Sequence, residues 1–449
     1  MRLLKNATLV TAAKAGAGSV LIEGDRISAV WWADSEDYNF RLDMFLKKNP
    51  EAEISDLTGK HIIAGGIDAH VHFRDPGLTH KADMATESRA AAAGGVTTVF
   101  DMPNTKPATT EAVHLAEKLA LAKEKSVINM GFHIGATNEN ASEIASLVQN
   151  GDAETGLKPS DIAGVKVFMG SSTGNMLVDE ENTLAELFSI KEKPVLVHCE
   201  DEATIRRNME RAREKYGEDI PFSEHEHIRS RIACIKSSIK ALELAIKYNT
   251  RLTLCHISTK EEVEMVRAAK LNNPGITAET SCNYLWFCNE EYDKLGSRAK
   301  CNPSIKTSSD RAALREALKN GQIDTIGSDH APHLLSEKDA PYGSAPSGLP
   351  SIQQTLSVLL TIADEEEIPL ERIASVFSEK AAEIYGLERG KIQEGWYADL
   401  VIFDLSKDFV VRNEDQHGKC GWTPYDGVTL KGVIEEVIIN GKTDNIKIV

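Results

Sequence analysis

Two histidines and an arginine, each two residues apart, form the most chemically suggestive pattern in this sequence. The stretch DAHVHFRDPG contains His70, His72 and Arg74. Positions i and i+2 of a β-strand project from the same face, so His70 and His72 point into one space. Two imidazoles aimed at one point can bind a metal ion. Arg74 continues the alternation just past the strand end, and its planar guanidinium suits a carboxylate.

Other polar residues that could act at such a site are found elsewhere in the chain. They lie at the end of short apolar runs, just after them or within them. In chain order they are Asn104, Lys166, His198, His256, Asn283, Asp329 and His333. Imidazoles with carboxylate oxygens suit Zn²⁺, and Mn²⁺ or Co²⁺ fit the same geometry. Cys199 and Cys255 each adjoin a histidine, but strand alternation predicts that both face away from the site as small buried core residues.

Eight apolar runs, most of them followed by a helical pattern, predict the scaffold that positions these residues. The runs are residues 61–73, 96–104, 128–137, 163–170, 193–200, 251–258, 275–285 and 323–333. Alternating βα units predict a parallel sheet, and eight units predict a closed (β/α)8 TIM barrel in the α/β class. The carboxyl ends of barrel strands surround one mouth, so the polar residues are expected to converge there.

The two ends of the chain differ from its middle. Residues 1–60 and 390–449 have the composition of short strands separated by glycine-containing turns. We therefore expect one small β-sandwich-like domain built from both chain ends, flanking a barrel that spans residues 61–389. A helix is expected inside this domain, within residues 36–53.

Composition excludes several classes of protein. The chain has 449 residues, 41% hydrophobic and 27% charged, as in ordinary soluble globular proteins. Its net charge of −17 argues against nucleic-acid binding, which needs a basic surface. No apolar stretch approaches the roughly 20 residues of a membrane span. The seven scattered cysteines form no disulfide framework, so we expect a cytoplasmic protein. No pattern encodes the oligomeric state, and a homodimer is only a working expectation.

Each candidate residue also has an ordinary structural alternative. Asp329 could cap a helix, Lys166 could be a rim lysine with its amine in solvent, and Arg74 could pair with the adjacent Asp75. The coincidence of so many at one end of a barrel favours a functional site. A second H-x-H pattern, His225 and His227, begins a helical pattern, where i and i+2 do not share a face. We do not expect metal binding there.

Five motifs in order resemble the amidohydrolase superfamily: DAHVHFRDPG, DMPNT (101–105), VHCE, CHIS and GSDHAPH (327–333). HFRDPG and MPNT are more narrowly similar to dihydroorotases of the longer type with a flanking β domain, and the resemblance covers almost the whole chain. It implies two Zn²⁺ ions per subunit, bridged by a carboxylated lysine and a hydroxide. Carried over, His70, His72 and Asp329 would hold one ion, and His198 and His256 the other. Lys166, in GVKVFMG, would be the bridging carbamate.

The resemblance also implies an activity, the reversible hydrolysis of the cyclic amide of (S)-dihydroorotate to N-carbamoyl-L-aspartate in pyrimidine (UMP) biosynthesis. The metal-bridging hydroxide would be the nucleophile, and Asp329 the general acid and base. The implied substrate-binding residues are Arg74, Asn104 and His333 for the carboxylate, and Asn302 with the backbone of Ser347 and Gly348 for the ring.

Two alternatives stay open. Hydantoinases (dihydropyrimidinases) and allantoinases share the scaffold, although their substrates lack the carboxylate that Arg74 would bind. An inactive homologue could instead serve as a partner of another pyrimidine enzyme, although here every expected ligand position is filled. The Pro-, Gly- and Ser-rich segment 331–348 is predicted to be a lid that closes over the substrate.

Overall fold

The strands form two sheets in a computed structural model that describes residues 1–170 and 176–443. The first five are β1 (Arg2–Val10), β2 (Ala15–Glu23), β3 (Arg26–Trp32), β4 (Glu53–Asp56) and β5 (His61–Ala64). The next eight are β6 (Gly66–Val71), β7 (Val96–Asp101), β8 (Asn129–Gly135), β9 (Ile162–Phe168), β10 (Val195–His198), β11 (Leu252–Leu254), β12 (Thr277–Thr280) and β13 (Thr325–Ile326). The last are β14 (Leu400–Val410), β15 (Thr429–Ile439) and β16 (Lys442–Thr443).

Strands β6 to β13 form the predicted barrel, and each pairs in parallel with the next along the chain. The last strand meets the first through a bridge between Val71 and His330, where His72 N donates to His330 O at 2.8 Å. The eight strand positions predicted from the apolar runs are confirmed. Runs buried on both faces, such as VLVH in β10, are typical of parallel strands covered by helices.

Helices connect these strands and cover them. They are α1 (Tyr38–Lys48), α2 (Met84–Ala93), α3 (Ala112–Lys125), α4 (Ala141–Asn150), α5 (Glu181–Phe188), α6 (Glu202–Tyr216), α7 (His225–Ile228), α8 (Arg231–Tyr248), α9 (Lys260–Lys270), α10 (Cys282–Trp286), α11 (Tyr292–Leu295), α12 (Ser308–Lys319), α13 (Leu335–Lys338), α14 (Thr355–Glu365), α15 (Leu370–Ala374) and α16 (Lys380–Tyr385). Residues Ser375–Glu379 form a π-helical turn between the last two. Polar caps fix several starts; Thr259 and Glu262 form a capping box at α9.

Both chain ends build the second sheet, as predicted. It is one mixed sheet in the order β16-β15-β14-β5-β1-β2-β3, with β4 paired to β1. Helix α1 lies within the predicted range and packs Phe45 against Trp31, with ring centroids 5.7 Å apart. The predicted boundaries at residues 60/61 and 389/390 stay predictions, and β5, just after the first, pairs within this end sheet. Residues 444–449 of the predicted domain lie outside the described residues.

The end sheet continues directly into the barrel. Gly65 alone separates β5 from β6, the strand that carries His70. A Cβ at this glycine would lie 2.2 Å from Thr97 Oγ1 in the next barrel strand. The close approach of the two strands therefore requires glycine at this position.

A long connection from the end sheet reaches back over the barrel. Residues 411–428, between β14 and β15, bury Trp422 and Tyr425. The Tyr425 hydroxyl donates to Asn283 Oδ1 at 3.1 Å. Asn283, expected at the end of the seventh strand, lies instead in α10 and is held by this tyrosine.

None of the described helices is long and apolar enough to cross a membrane.

Candidate active site

The predicted site residues converge on one cavity at the carboxyl ends of the barrel strands. The lining residues are His70, His72, Arg74, Asn104, Phe168, His198, His256, Asn302, Asp329, Ala331, Ser347 and Gly348. Of the predicted set, Lys166 and His333 do not line it, and both lie against residues that do.

One half of the site groups His70 and His72 around Asp329. Asp329 Oδ1 lies 3.1 Å from His72 Nε2 and 3.5 Å from His70 Nε2. The opposite ring nitrogens are held from outside: His70 Nδ1 donates to Glu279 Oε1, and His72 Nδ1 donates to Asn104 Oδ1, both at 2.7 Å. These outer bonds fix the tautomer that leaves Nε2 of each ring as a lone-pair donor towards the cavity.

The other half pairs His198 with His256. His198 Nδ1 lies 3.0 Å from His256 Nε2. The far nitrogen of His198 donates to Glu200 Oε2 at 2.9 Å, and Glu200 forms an ion pair with Arg229. His198 therefore presents Nδ1 inward, which is the same arrangement of outer acceptor and inner lone pair.

The electrostatic state of these imidazoles suits a metal. Burial lowers the pKa of His198, and it lowers the pKa of His70 and His256 further. Burial works to raise the pKa of Asp329, but His70 and His72 hold it below its ordinary value. Neutral imidazoles and an ionised carboxylate are the protonation states that metal ligands require. His70, His72 and Asp329 bring one donor atom each within 4.8 Å of one another.

Lys166 lies beneath both halves. Its side chain is fully buried, which excludes the alternative of a rim lysine with its amine in solvent. Among the described residues no carboxylate forms an ion pair with it, although an uncompensated buried ammonium is costly. The Nζ atom lies 3.3 Å from Cys255 Sγ.

The position of Cys255 corrects one prediction. Cys199 packs in the main hydrophobic core, as expected. Cys255 is also buried, but its sulfur faces the barrel interior and lies among His70 and Glu279 as well as Lys166. The reason is the backbone at His256, whose φ of 36° breaks the strand alternation on which the prediction depended.

Three site residues share this unusual backbone. Arg74, His256 and Asp329 have φ of 64°, 36° and 49°. Residues other than Gly, Asn and Asp rarely adopt positive φ, and such strain concentrates at functional sites. Each of these residues lies two or three positions after the end of a barrel strand. The left-handed turn aims the side chain into the mouth as the chain leaves the strand.

Arg74 is held by the segment that follows the last barrel strand. Its Nε donates to Pro332 O at 3.3 Å, and its Nη2 donates to His333 Nε2 at 3.1 Å. The other nitrogen of His333, Nδ1, lies 3.1 Å from Lys81 Nζ. Burial, with Arg74 and Lys81 on either side, holds the pKa of His333 well below its ordinary value. His333 is thus a neutral ring between two cations.

Arg74 does not form the predicted alternative ion pair. Asp75 pairs with Lys125 at 2.9 Å, and no carboxylate in the described part of the chain pairs with Arg74. Arg74 is nevertheless buried, with only 4% of its surface exposed, and this burial lowers its pKa. A buried guanidinium next to a cavity is stabilised when an anion binds there.

The remaining predicted substrate contacts are arranged less simply. Asn302 Oδ1 is buried without a hydrogen-bond partner and lines the cavity. Asn104 also lines it, but its Oδ1 already accepts from His72. The backbone oxygen of Ser347 lies 3.1 Å from His333 Nε2, and that of Gly348 accepts from Lys338 Nζ at 3.1 Å. These two carbonyls therefore shape the wall of the cavity.

Segment 331–348 lies against the barrel in this structure. Its buried Lys338 donates to the carbonyls of Lys300, Pro346 and Gly348. Trp422 Nε1 donates to His333 O at 2.7 Å. The short helix α13 replaces part of the expected irregular loop. Closure of this segment as a lid stays a prediction.

Several buried carboxylates were missed by sequence reasoning. Glu279 holds His70, Glu200 holds His198, and Asp68 accepts from the backbone N–H groups of His70 and Ser328 at 3.0 and 3.1 Å. Burial raises the pKa of Glu279 and of Asp68 to about 7. A signal existed for Glu200, which lies two residues after His198, and for Glu279, an acid within an apolar run.

The second H-x-H pattern lies on a helix, as predicted. Both histidines lie in α7; His225 is buried and His227 is exposed. His225 Nδ1 lies 2.8 Å from the Tyr342 hydroxyl, and its Nε2 donates to Cys301 O at 2.8 Å. The two rings therefore face different surroundings.

Comparison with known proteins matches residues 61–443 to the amidohydrolase family. The chain belongs to the amidohydrolase family. It is 35% identical over 387 residues to a dihydroorotase from Methanosarcina acetivorans, a match covering 84% of this chain and 80% of that protein. It is 32% identical over 403 residues to an allantoinase from Desulfitobacterium hafniense, covering 87% and 86%.

A solved structure shows the same fold. The L-hydantoinase (dihydropyrimidinase) from Arthrobacter aurescens superimposes with a TM-score of 0.89 at 25% identity, covering 98% of this chain and 95% of that one. This amidohydrolase is therefore an enzyme of the cyclic amidohydrolase type. Its relatives carry three different names, so the substrate has to be argued from the cavity.

Proposed function

We propose that this amidohydrolase is a dihydroorotase, which opens (S)-dihydroorotate to N-carbamoyl-L-aspartate and closes it again in pyrimidine biosynthesis. The observation that carries the proposal is the buried guanidinium of Arg74, which pairs with no carboxylate of the described residues and lies at the wall of a cavity lined by four imidazoles. Dihydroorotase-named relatives at 35% identity support it.

Arg74 supports an anionic substrate. Its Nε and Nη2 donate to Pro332 O and His333, which fixes the plane of the fork. A fixed guanidinium binds a carboxylate with directional, charge-assisted hydrogen bonds. Neutral His333 lies behind Arg74 and helps to hold it at the wall. Dihydroorotate carries a carboxylate beside the amide that is cleaved, whereas hydantoin and allantoin carry none.

The donor set supports a metal centre. His70, His72 and Asp329 would hold one Zn²⁺, and His198 and His256 a second, with Lys166 as a carbamate between them. Nitrogen and carboxylate donors of this kind suit Zn²⁺. Bound zinc would supply Lewis acidity towards the amide carbonyl and make a water acidic near neutral pH. The outer acceptors Glu279, Asn104 and Glu200 orient three of these imidazoles.

Asp329 is placed to move the proton. Its carboxylate lines the cavity and its pKa is held low, so it is ionised at neutral pH. It can accept a proton at a carboxylate oxygen from the attacking water and donate the same proton to the leaving amide nitrogen. In the reverse direction it takes the proton from that nitrogen as the ring closes. The left-handed backbone at Asp329 fixes its position between the histidines and the cavity.

The burial of Lys166 supports a carbamate at its Nζ. A neutral amine at Nζ that adds CO₂ and loses a proton becomes an anion with two oxygens. This change replaces an ammonium, buried without an ion pair among the described residues, by a group that two cations stabilise.

The alternative function is that of an allantoinase or hydantoinase, favoured by the relatives of those names. The test is steady-state turnover of dihydroorotate, hydantoin and allantoin by one preparation whose zinc content is measured. We expect turnover of dihydroorotate with kcat/KM at least about 100-fold above the uncharged rings, the value of one well-placed buried charge contact. Turnover of an uncharged ring alone would overturn the proposal.

The same assay distinguishes the remaining alternative, a catalytically inactive partner protein. Protein that binds zinc stoichiometrically but turns over none of the three rings would support that alternative. A D329N variant is the control for activity from a contaminating enzyme, because it retains the size of the side chain but removes the proton acceptor.

A further inference from the structure

Helix α8 exposes a line of isoleucines. Ile232, Ile239 and Ile246 are 50%, 44% and 40% exposed, whereas most large apolar side chains of the described residues are buried. They are seven residues apart, so they lie along one face and span about 21 Å. Single exposed apolar residues are ordinary, but three aligned on one helix form a patch of the kind that marks an interaction surface.

The residues beside this isoleucine line are also ordered by type. At 100° per residue, Lys236 and Glu243 lie on one flank of the line and the half-buried Ile235 lies on the other. Isoleucines seven residues apart, with charged residues at the flanking positions, are typical of helices that pair with another helix. The buried residues of α8, among them Ala241 and Leu242, face the barrel and keep the isoleucine line outward.

We propose that a second copy of this chain docks on the isoleucine line, so that two α8 helices pair antiparallel about a two-fold axis at Ile239. Symmetric pairing through one self-complementary patch is the commonest form of protein association. In this register Ile239 faces its own copy, and Ile232 faces Ile246 of the second copy. Three apolar layers then close along the whole line.

The charges fit this register. Lys236 lies three residues before the axis, and Glu243 lies four residues after it. In an antiparallel pair, Lys236 of one copy and Glu243 of the second copy therefore lie within one residue rise, about 1.5 Å, of each other along the helix axis. Both lie on the same flank, and the two-fold axis keeps that flank on one side of the pair. Each Lys236 therefore faces a Glu243 of the second copy, twice in the dimer. A parallel pairing, whose two-fold axis runs along the helices, would instead place the two flanks on opposite sides of the pair, so that no Lys236 would face a Glu243.

Lys236 can make this contact. It is 52% exposed; within its own chain its Nζ donates to Thr204 Oγ1 at 3.2 Å and lies 3.8 Å from Asp201 Oδ2, so the charge itself stays open to solvent. Glu243 is exposed. The isoleucine centre with a charged rim has the anatomy of a protein interface. The inference does not rest on the proposed substrate, because α8 lies outside the cavity lining.

The first test is the oligomeric state of the full chain by sedimentation velocity over a range of concentrations. We expect a dimer for the parent protein and a weakening of about 30-fold or more in the dissociation constant for I239E, which sets two carboxylates against each other on the axis. The control is L271E, since Leu271 is 84% exposed at the end of α9. A monomeric parent protein, or an I239E dimer of unchanged affinity, would overturn the proposal.

Charge exchange tests the register. K236E should weaken the dimer, and the double variant K236E/E243K should restore it, because the pair across the axis is exchanged intact. Failure of the double variant to recover more than either single variant would contradict the antiparallel register. Circular dichroism of each variant shows that the helix is retained.

A cysteine on the axis tests the geometry directly. I239C should form an intermolecular disulfide under mild oxidation, because residue 239 faces itself. I246C should not, since the two copies of residue 246 would lie about 21 Å apart along the pair. The parent protein gives the background of its own cysteines, of which only Cys420 is not fully buried. Equal cross-linking of the two variants would exclude the proposed axis.

Discussion

The indole Nε1–H of Trp422 donates to the backbone oxygen of His333 at 2.7 Å. Trp422 belongs to the connection between two strands of the end sheet, and His333 is the ring that contacts Arg74. The end domain therefore fixes one side of the proposed carboxylate site. Because Trp422 is 1% exposed, no water replaces its bond when it is lost.

W422F is expected to raise KM for dihydroorotate about 3- to 10-fold with a smaller change in kcat. The ring is retained but the donor is lost, and an unsatisfied buried carbonyl costs about 1–3 kcal/mol. Steady-state kinetics and thermal unfolding measure both effects. W32F, in the end sheet far from the cavity, is the matched control. An unchanged KM in W422F would show that Trp422 only fills space.

R74K is expected to raise KM for dihydroorotate about 10- to 100-fold, because lysine cannot reproduce the planar fork. Zinc content should not change, because Arg74 donates to Pro332 O and His333 and to none of the proposed ligands. Kinetics with parallel metal analysis check this. Loss of zinc from R74K would make Arg74 structural, and R267K, in a surface ion pair with Glu264, controls for the exchange itself.

E279Q tests the outer acceptor of His70. The amide keeps the shape of Glu279 but accepts the Nδ1 hydrogen more weakly and can turn its NH₂ towards the ring. Zinc affinity is expected to fall about 10- to 100-fold, as for other outer partners of metal-binding histidines. Competition with a chelator measures this independently of turnover. E262Q, an equally buried change in the capping box of α9, should leave the affinity unaltered.

K166A is expected to lose zinc from the bridged positions and with it most activity. Short carboxylic acids such as acetate or propionate should restore part of both, because they supply two oxygens in the vacated space. Zinc content with and without the acid is the measurement. Full activity of K166A without additive would exclude the carbamate. C255A, which removes the sulfur 3.3 Å from Lys166 Nζ, shows whether that neighbour matters.

The barrel could be predicted because its strands are continuous apolar runs, most of them with a polar residue at or near the end. His70, His198 and His256 lie at such ends, so their convergence followed from topology alone. The outer acceptors were harder to predict. Glu279 and Asp68 lie within apolar runs, where a single acid gives no indication of its partner until the neighbouring strand is placed.

The error at Cys255 has a local cause. Alternation predicts side-chain direction only while the backbone stays extended, and His256 leaves that region one residue later. Such a turn has no signature in the residue types, since histidine does not demand a positive φ. The connection 411–428 has a similar limit: nothing in its composition indicates that Trp422 returns to the barrel mouth.

The single glycine between β5 and β6 has a mechanical consequence. A hinge needs a few residues free to change their dihedral angles, and Gly65 is closed in by Thr97 on the adjacent strand. The strand that carries His70 and His72 is therefore a rigid extension of a sheet whose other strands come from both ends of the chain. Loosening either end would loosen the proposed metal ligands, so this enzyme should not tolerate exchange of its end domain for a foreign one.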